Sequence, residues 1–180
     1  MRTKQAPLTK TPARWLWTIM IALALAGAWS ATRSRGEQSD PTQPPPVLSS
    51  DPWQASQLMK PEDLAKSLSE ATGEKPLVVC VGYPFPYHGA HIAGSKFAGP
   101  AVKSEGLEQL KQTVENLPHE MPIVLYCGCC PWKNCPNIRP AFQAMKDWGF
   151  KNVKALYLPR NLRQDWIDKG FPVQRADDAK

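Results

Sequence analysis

No cysteine occurs before Cys80 in this chain of 180 residues, and no acidic residue precedes Glu37. The first absence excludes a lipid-modified cysteine near the amino terminus. The second leaves Arg2, Lys4, Lys10, Arg14, Arg33 and Arg35 as an unbalanced basic lead. Long apolar runs are also lacking: the run from Trp15 to Trp29 counts 15 residues, short of the roughly 20 that a spanning helix needs. A basic stretch, a short apolar stretch and the small residues Ala26-Gly27-Ala28 read as a secretory signal peptide, with an uncleaved anchor as the other reading of residues 1–31. Basic residues ahead of an apolar run stay inside, so the remainder is expected to be exported, periplasmic or otherwise extracytoplasmic. Membrane contact would then come only through the amino-terminal segment.

The formal charge of +6 belongs to that lead, because Glu37 onward carries 16 Lys plus Arg against 16 Asp plus Glu. A balanced domain has no electrostatic footprint for nucleic acid, which is excluded as a partner. Residues 32–56 show no apolar periodicity; Ser, Thr, Gln and Pro dominate and Pro44-Pro45-Pro46 is stiff, so they read as a tether. No internal repeat is visible. Residues 57–174, about 120 residues before a tail at 175–180, suit one compact domain.

What is present is a concentration of thiols. Cys127, Cys129, Cys130 and Cys135 fall within nine residues, with Cys80 apart. A disulfide framework spreads its cysteines to staple distant segments; a cluster points to chemistry at one loop, with an odd count that leaves a thiol unpaired. Around it, apolar patterns alternate. Pro61-Glu62-Asp63-Leu64 opens a helix with Pro and acidic residues in its first turn. The runs 76–81, 122–126 and 152–158 have the length and continuity of strands buried on both faces, which makes Cys80 a core residue. Ser104 caps a second helix carrying Leu107, Leu110, Val114 and Leu117, and Asn137 caps a third whose inner face is Ala141, Phe142, Met145 and Trp148 and which closes at Gly149. A last short helix runs from Leu162 to Asp168. Strands alternating with helices imply an α/β fold, a small mostly parallel sheet flanked by helices on both faces. Ligands of such sheets bind beyond the carboxyl ends of the strands, where the cysteine loop lies.

Cys127 is the candidate nucleophile. Helix N–H groups just beyond it favour an anion and lower a thiol's pKa, and they suit an oxyanion or a persulfide's outer sulfur. Lys133 adds a cation. Cys129, Cys130 and Cys135 read as supporting thiols, as half of a loop disulfide, or with Cys127 as metal ligands. Trp132 is a pocket wall or a cover for the loop, Arg139 an anion contact or a solvated helix charge, and Tyr83, Phe85 and Tyr87 an aromatic lip or ordinary loop packing.

Three separated motifs carry a resemblance. Tyr126-Cys127 after a buried strand, Gly89-Ala90-His91-Ile92-Ala93-Gly94-Ser95, and Trp166-Ile167-Asp168-Lys169-Gly170-Phe171-Pro172-Val173 stand in the order found in the rhodanese-like superfamily, and span nearly the whole domain. The resemblance implies a rhodanese-like fold, a sulfurtransferase or persulfide carrier with the sulfur on Cys127, a structural His91, no cofactor, and a small sulfur donor and a thiol acceptor as partners. The departures lie in the active parts. The family's Asp-Val-Arg is Cys80-Val81-Gly82 here, its Gly-Gly pair is Arg160-Asn161, and the loop is longer, without an Arg after the cysteine and with three further cysteines. These weigh against thiosulfate-type activity, and a Lys at 133 where phosphatase relatives need Arg weighs against phosphate. Three other readings remain open: thiol–disulfide exchange, a soft-metal (Cu or Zn) module on the Cys-x-Cys-Cys-x4-Cys loop, and a non-catalytic domain.

Overall fold

The computed structural model describes residues 47–175. The segment read as signal peptide or anchor, most of the tether and residues 176–180 lie outside the described residues. Among the described residues no helix is long and apolar enough to cross a membrane.

Five strands form one parallel sheet: β1 (Leu58–Met59), β2 (Leu77–Cys80), β4 (Lys96–Phe97), β5 (Ile123–Tyr126) and β6 (Val153–Leu156), in the spatial order β1-β6-β5-β2-β4. Register is set along the central pair, where Leu77 lies beside Ile123 and Cys80 beside Tyr126. Between β2 and β4 the chain makes helix α2 (Pro84–Gly89) and strand β3 (His91–Ile92), a stretch that the sequence pattern leaves irregular. β3 pairs antiparallel with β7 (Val173–Gln174). Two of the three resemblance motifs are therefore hydrogen-bonded to each other. His91 stacks on Tyr87 at 4.0 Å, and its Nδ1–H donates to the Tyr87 carbonyl at 2.9 Å, a packing role.

Period-two alternation divides the core. Val79, Val81, Ile123, Leu125 and Ala155 face helices α3 (Ser104–Val114) and α4 (Ile138–Asp147), against Leu110, Val114, Ile138, Phe142 and Met145. Val78, Cys80, Val124, Tyr126 and Leu156 face the other way, against Leu64 of α1 (Pro61–Ser69), Ile92 and Trp166. Each buried aliphatic side chain contributes about 1.5–3 kcal/mol, so strands apolar on both faces hold the sheet between the two helical layers.

Two details differ from the sequence expectation. The packed chain begins before residue 57: Trp53 is buried, packing edge-on to Phe142 at 5.4 Å, and Asp51 pairs with Arg139 at 2.7 Å. A lone Trp among polar residues and prolines gives no period to detect, which is why it reads as tether. The expected last helix is one π-helical turn, Arg163–Ile167, within Leu162–Asp168. Its buried Asp165 folds the preceding corner by accepting the N–H groups of Arg160 at 2.6 Å and Asn161 at 3.0 Å, and Arg160 Nε at 2.9 Å. Asp165→Ala leaves those two N–H groups without their acceptor, and is expected to destabilise the domain by about 1–3 kcal/mol. Urea unfolding checks this; a change within about 0.5 kcal/mol of zero, the range of neutral surface substitutions, would remove Asp165 from the account of the corner.

Candidate functional site: a five-cysteine cluster

Strands β2 and β5 end side by side and deliver two thiols to opposite faces of the sheet. Cys80, last residue of β2, points with Tyr126 to the α1 side; Cys127, one residue beyond β5, points with Leu125 to the α4 side. Gly82 lies between them. A Cβ there would sit 3.2 Å from Cys127 Sγ and 3.7 Å from Cys80 Sγ, so only glycine leaves the two sulfurs this close without displacement.

The loop then turns sharply. Gly128 is pressed against Leu162, where a Cβ would come within 2.4 Å of the Leu162 Cβ, and its carbonyl accepts the Leu162 N–H at 3.0 Å. The turn brings Cys129 Sγ to 3.2 Å from Cys127 Sγ and 3.6 Å from Cys130 Sγ. The sulfurs of Cys127, Cys129 and Cys130 all lie within 4.8 Å of one another. Trp132 is buried, tilted on Trp53 at 5.0 Å and edge-on to Tyr157 at 5.2 Å, so it covers the loop and does not line the cavity. Lys133 is exposed. Arg139 is directed to Asp51 and to the carbonyls of Trp132 and Cys135.

The helix start differs from expectation in an instructive way. Asn137 is fully buried but makes no side-chain cap. Its Oδ1 accepts the Val102 N–H at 3.0 Å and its Nδ2 donates to Cys127 Sγ at 3.5 Å, tying the loop to the segment before α3. The helix start instead favours an anion at Cys135, whose thiol the Asn137 and Ile138 backbone N–H groups hold below its ordinary value. The helix end thus serves Cys135, two and three residues upstream of those donors, and not Cys127.

Acidity follows these contacts. Cys129 is lowered to about 6, first by its hydrogen bond from Cys127 and further by Cys130 and the Tyr83 backbone. Cys135 is also lowered to about 6, first by Cys127 and then by the two helix N–H groups. Cys127, whose sulfur is 3.2 Å from that of Cys129, is pushed up and keeps its proton, burial adding to the effect. Burial raises Cys130 to about 12 and Cys80 to about 11. Tyr126 is likewise raised by burial, its hydroxyl 3.0 Å from Ser95 Oγ and 3.4 Å from the Ile92 N–H.

A cavity of about 480 Å³ opens on the Cys80 side. Cys80, Gly82, Tyr126, Gly128 and Cys129 line it together with Tyr83, Tyr87, Asn161, Leu162 and Arg163. Cys129 is therefore the sulfur that both touches Cys127 and faces the cavity. Of the residues singled out in the sequence, Cys127, Cys129, Cys130, Cys135 and Asn137 come together, whereas Lys133 and Trp132 stand outside. Cys80, Gly82, Tyr126 and Arg163 join the site without having been singled out for it. Strand alternation after Cys80 and Tyr126 was the available signal for two of them.

No family model matches the chain, and no curated protein matches it. Solved structures do. The BH2092 protein of Bacillus halodurans superposes with a TM-score of 0.53 at 21% identity, covering 69% of this chain and 82% of that one. The rhodanese-like domain of the Alr3790 protein of Anabaena sp. does so at 0.50 and 15%, covering 69% and 83%. The chain has the rhodanese-like fold: a parallel sheet between helical layers, with the cysteine loop at the carboxyl end of its central strand.

Of the five thiols, Cys129 should be alkylated first by iodoacetamide. Its rate should rise with pH to half its maximum near 6, where the thiolate fraction reaches one half, instead of near the ordinary thiol value of about 8.5. Mass mapping of the labelled peptides at each pH reads both features; first labelling at Cys130 or a midpoint near 8.5 would contradict the assignment.

Proposed function

We propose that the domain is a sulfurtransferase-type persulfide carrier, exported from the cytoplasm, in which Cys129 meets the sulfur donor and Cys127 stores the sulfur. The observation that carries this reading is the position of Cys129: half-buried, on the cavity wall, lowered to about 6, and 3.2 Å from Cys127. A thiolate is the nucleophile in sulfur exchange. The Cys129 thiolate attacks the outer, sulfane sulfur of a donor; the bond from that sulfur to the donor breaks, and the donor leaves with the electron pair. Cys127 then gives its proton to solvent and attacks the same outer sulfur, which regenerates the Cys129 thiolate and leaves a persulfide on Cys127. Neither step changes the overall oxidation level, so no cofactor is required. Asn137 Nδ2, already directed at Cys127 Sγ, steadies the anion on that sulfur, and a thiol acceptor removes it by the reverse chemistry. The fold itself supports a site at this loop, and the rhodanese-like resemblance supports sulfur as the cargo.

Incubating the reduced, metal-free protein with polysulfide or thiosulfate and recording its intact mass tests the scheme. One added sulfur, about 32 Da and removable by cyanide, is expected on Cys127. Cys129→Ser should slow uptake by on the order of a hundredfold at pH 7, the scale lost with an activating catalytic group. Cys127→Ser should stall the sulfur on Cys129. Uptake that survives both substitutions together, or no uptake from either donor, would overturn the proposal.

A further inference from the structure

Sulfur chemistry alone does not use everything the loop assembles. Cys130 takes no part in the relay, yet its sulfur stands 3.6 Å from Cys129 and completes a triangle with Cys127 whose sides are all within 4.8 Å. We propose that Cys127, Cys129 and Cys130 bind one Cu(I) ion through their three sulfurs.

The donor set selects the ion. All three donors are soft sulfur, which favours Cu(I), zinc or iron–sulfur chemistry over hard cations. Zinc and iron in all-sulfur sites take four ligands in a tetrahedron, and the fourth thiol here is set apart. Cys135 is buried, and its sulfur stands outside the group of three that lie within 4.8 Å of one another. Three sulfurs remain, a number that satisfies Cu(I), which accepts trigonal thiolate coordination.

Charge points the same way. Arg139 is held by Asp51 and two carbonyls, and Lys133 is exposed on the outer side of the loop. The loop's own cations are thus not set against its sulfurs, and an entering cation would meet anionic ligands that they leave unbalanced. Binding requires three thiolates, so the protons on Cys127 and Cys130 leave to solvent as the ion enters, and affinity rises with pH. Copper stays monovalent throughout; no electron is exchanged. The half-buried Cys129 and Cys130 give the ion a way in, while Trp132 closes the loop's other side.

The test is an anaerobic titration of the full-length, reduced, metal-free protein with Cu(I) against a chromophoric Cu(I) chelator, without any sulfur donor. It therefore reads copper alone and its outcome is separate from that of persulfide formation. The expected result is one Cu(I) per chain, with three sulfur neighbours by X-ray absorption. Cys129→Ser and Cys130→Ser should each weaken binding at least about tenfold, a loss of about 1.4 kcal/mol. Cys135→Ser, at a sulfur outside the triangle, should change it less than about threefold. Cys127 is buried, so the two half-buried positions carry the test, with far-UV circular dichroism confirming that each variant is folded. A four-sulfur shell, displacement of Cu(I) by equimolar Zn(II), an equal loss in Cys135→Ser, or binding that ignores Cys129→Ser and Cys130→Ser would each overturn the site.

Discussion

Strand β5 has no face in water. Ile123, Val124, Leu125 and Tyr126 are each at most 2% exposed, and this double burial is the constraint on which the site rests. A strand covered on both sides cannot slip by one residue without placing every side chain in the wrong layer. Cys127 is therefore committed to the α4 face, and Cys80, level with Tyr126 on β2, to the other. Two thiols of adjoining strands are held on opposite faces by the pleat, with Gly82 beside both: a Cβ there would lie 3.2 Å from Cys127 Sγ and 3.7 Å from Cys80 Sγ. The cluster is thus a consequence of sheet geometry first and of loop sequence second.

The loop's shape comes from contacts far away in the chain. Leu162 bears on Gly128, and the corner that carries Leu162 is folded by the buried carboxylate of Asp165. Trp132 is held by Trp53 from the amino-terminal side and Tyr157 from beyond β6. Asn137 ties Cys127 to residue 102. With its two ends fixed in this way, the turn has little choice about where its sulfurs go. Their proximity then redistributes the protons: one buried thiol, Cys127, retains its own and stabilises the neighbouring thiolate of Cys129. Hydrogen bonds to an ionised group are about twice as strong as neutral ones, which is why Cys129 is lowered while Cys127 is raised.

How much of this the sequence discloses depends on the range of the interaction. Local patterns suffice for α1, α3 and α4 and for the three long apolar runs. The helix from Pro61 and the strand from Ile123 stand where Pro, acidic residues and continuous β-branched character place them. The parallel order follows from alternation, and the cysteine loop falls at the carboxyl edge. Local patterns do not reveal Trp53, because a single aromatic in a polar stretch has no period. They also misplace the helix cap: Asn137 is the better capping residue by type, but a tertiary partner, the Val102 N–H, claims its carbonyl and the helix starts without a side-chain cap. Which of Cys127 and Cys129 lines the cavity was hidden for the same reason. Spacing shows that they are neighbours, whereas only Leu162 against Gly128 determines which of them faces the cavity.

The departures from the rhodanese-like pattern, separate oddities when read in sequence, become one substitution when read in space. The pattern's Arg is replaced at residue 82 by a glycine that admits two sulfurs, and the loop Arg is absent while cysteines are added. Both changes remove fixed positive charge from beside the reactive sulfur, and both put polarizable sulfur or space for it in that place. A thiolate without a guanidinium must be stabilised otherwise. Here the S–H of Cys127 serves Cys129, and the Asn137 amide serves Cys127. Arg163 is the one cation among the residues that line the cavity, so the site offers hard oxyanions few strong cationic donors. It suits soft ligands, whose bonds to thiolate do not depend on fixed charge. Sulfane sulfur and a monovalent d10 ion are both of that kind, and both would compete for the same 3.2 Å pair of sulfurs.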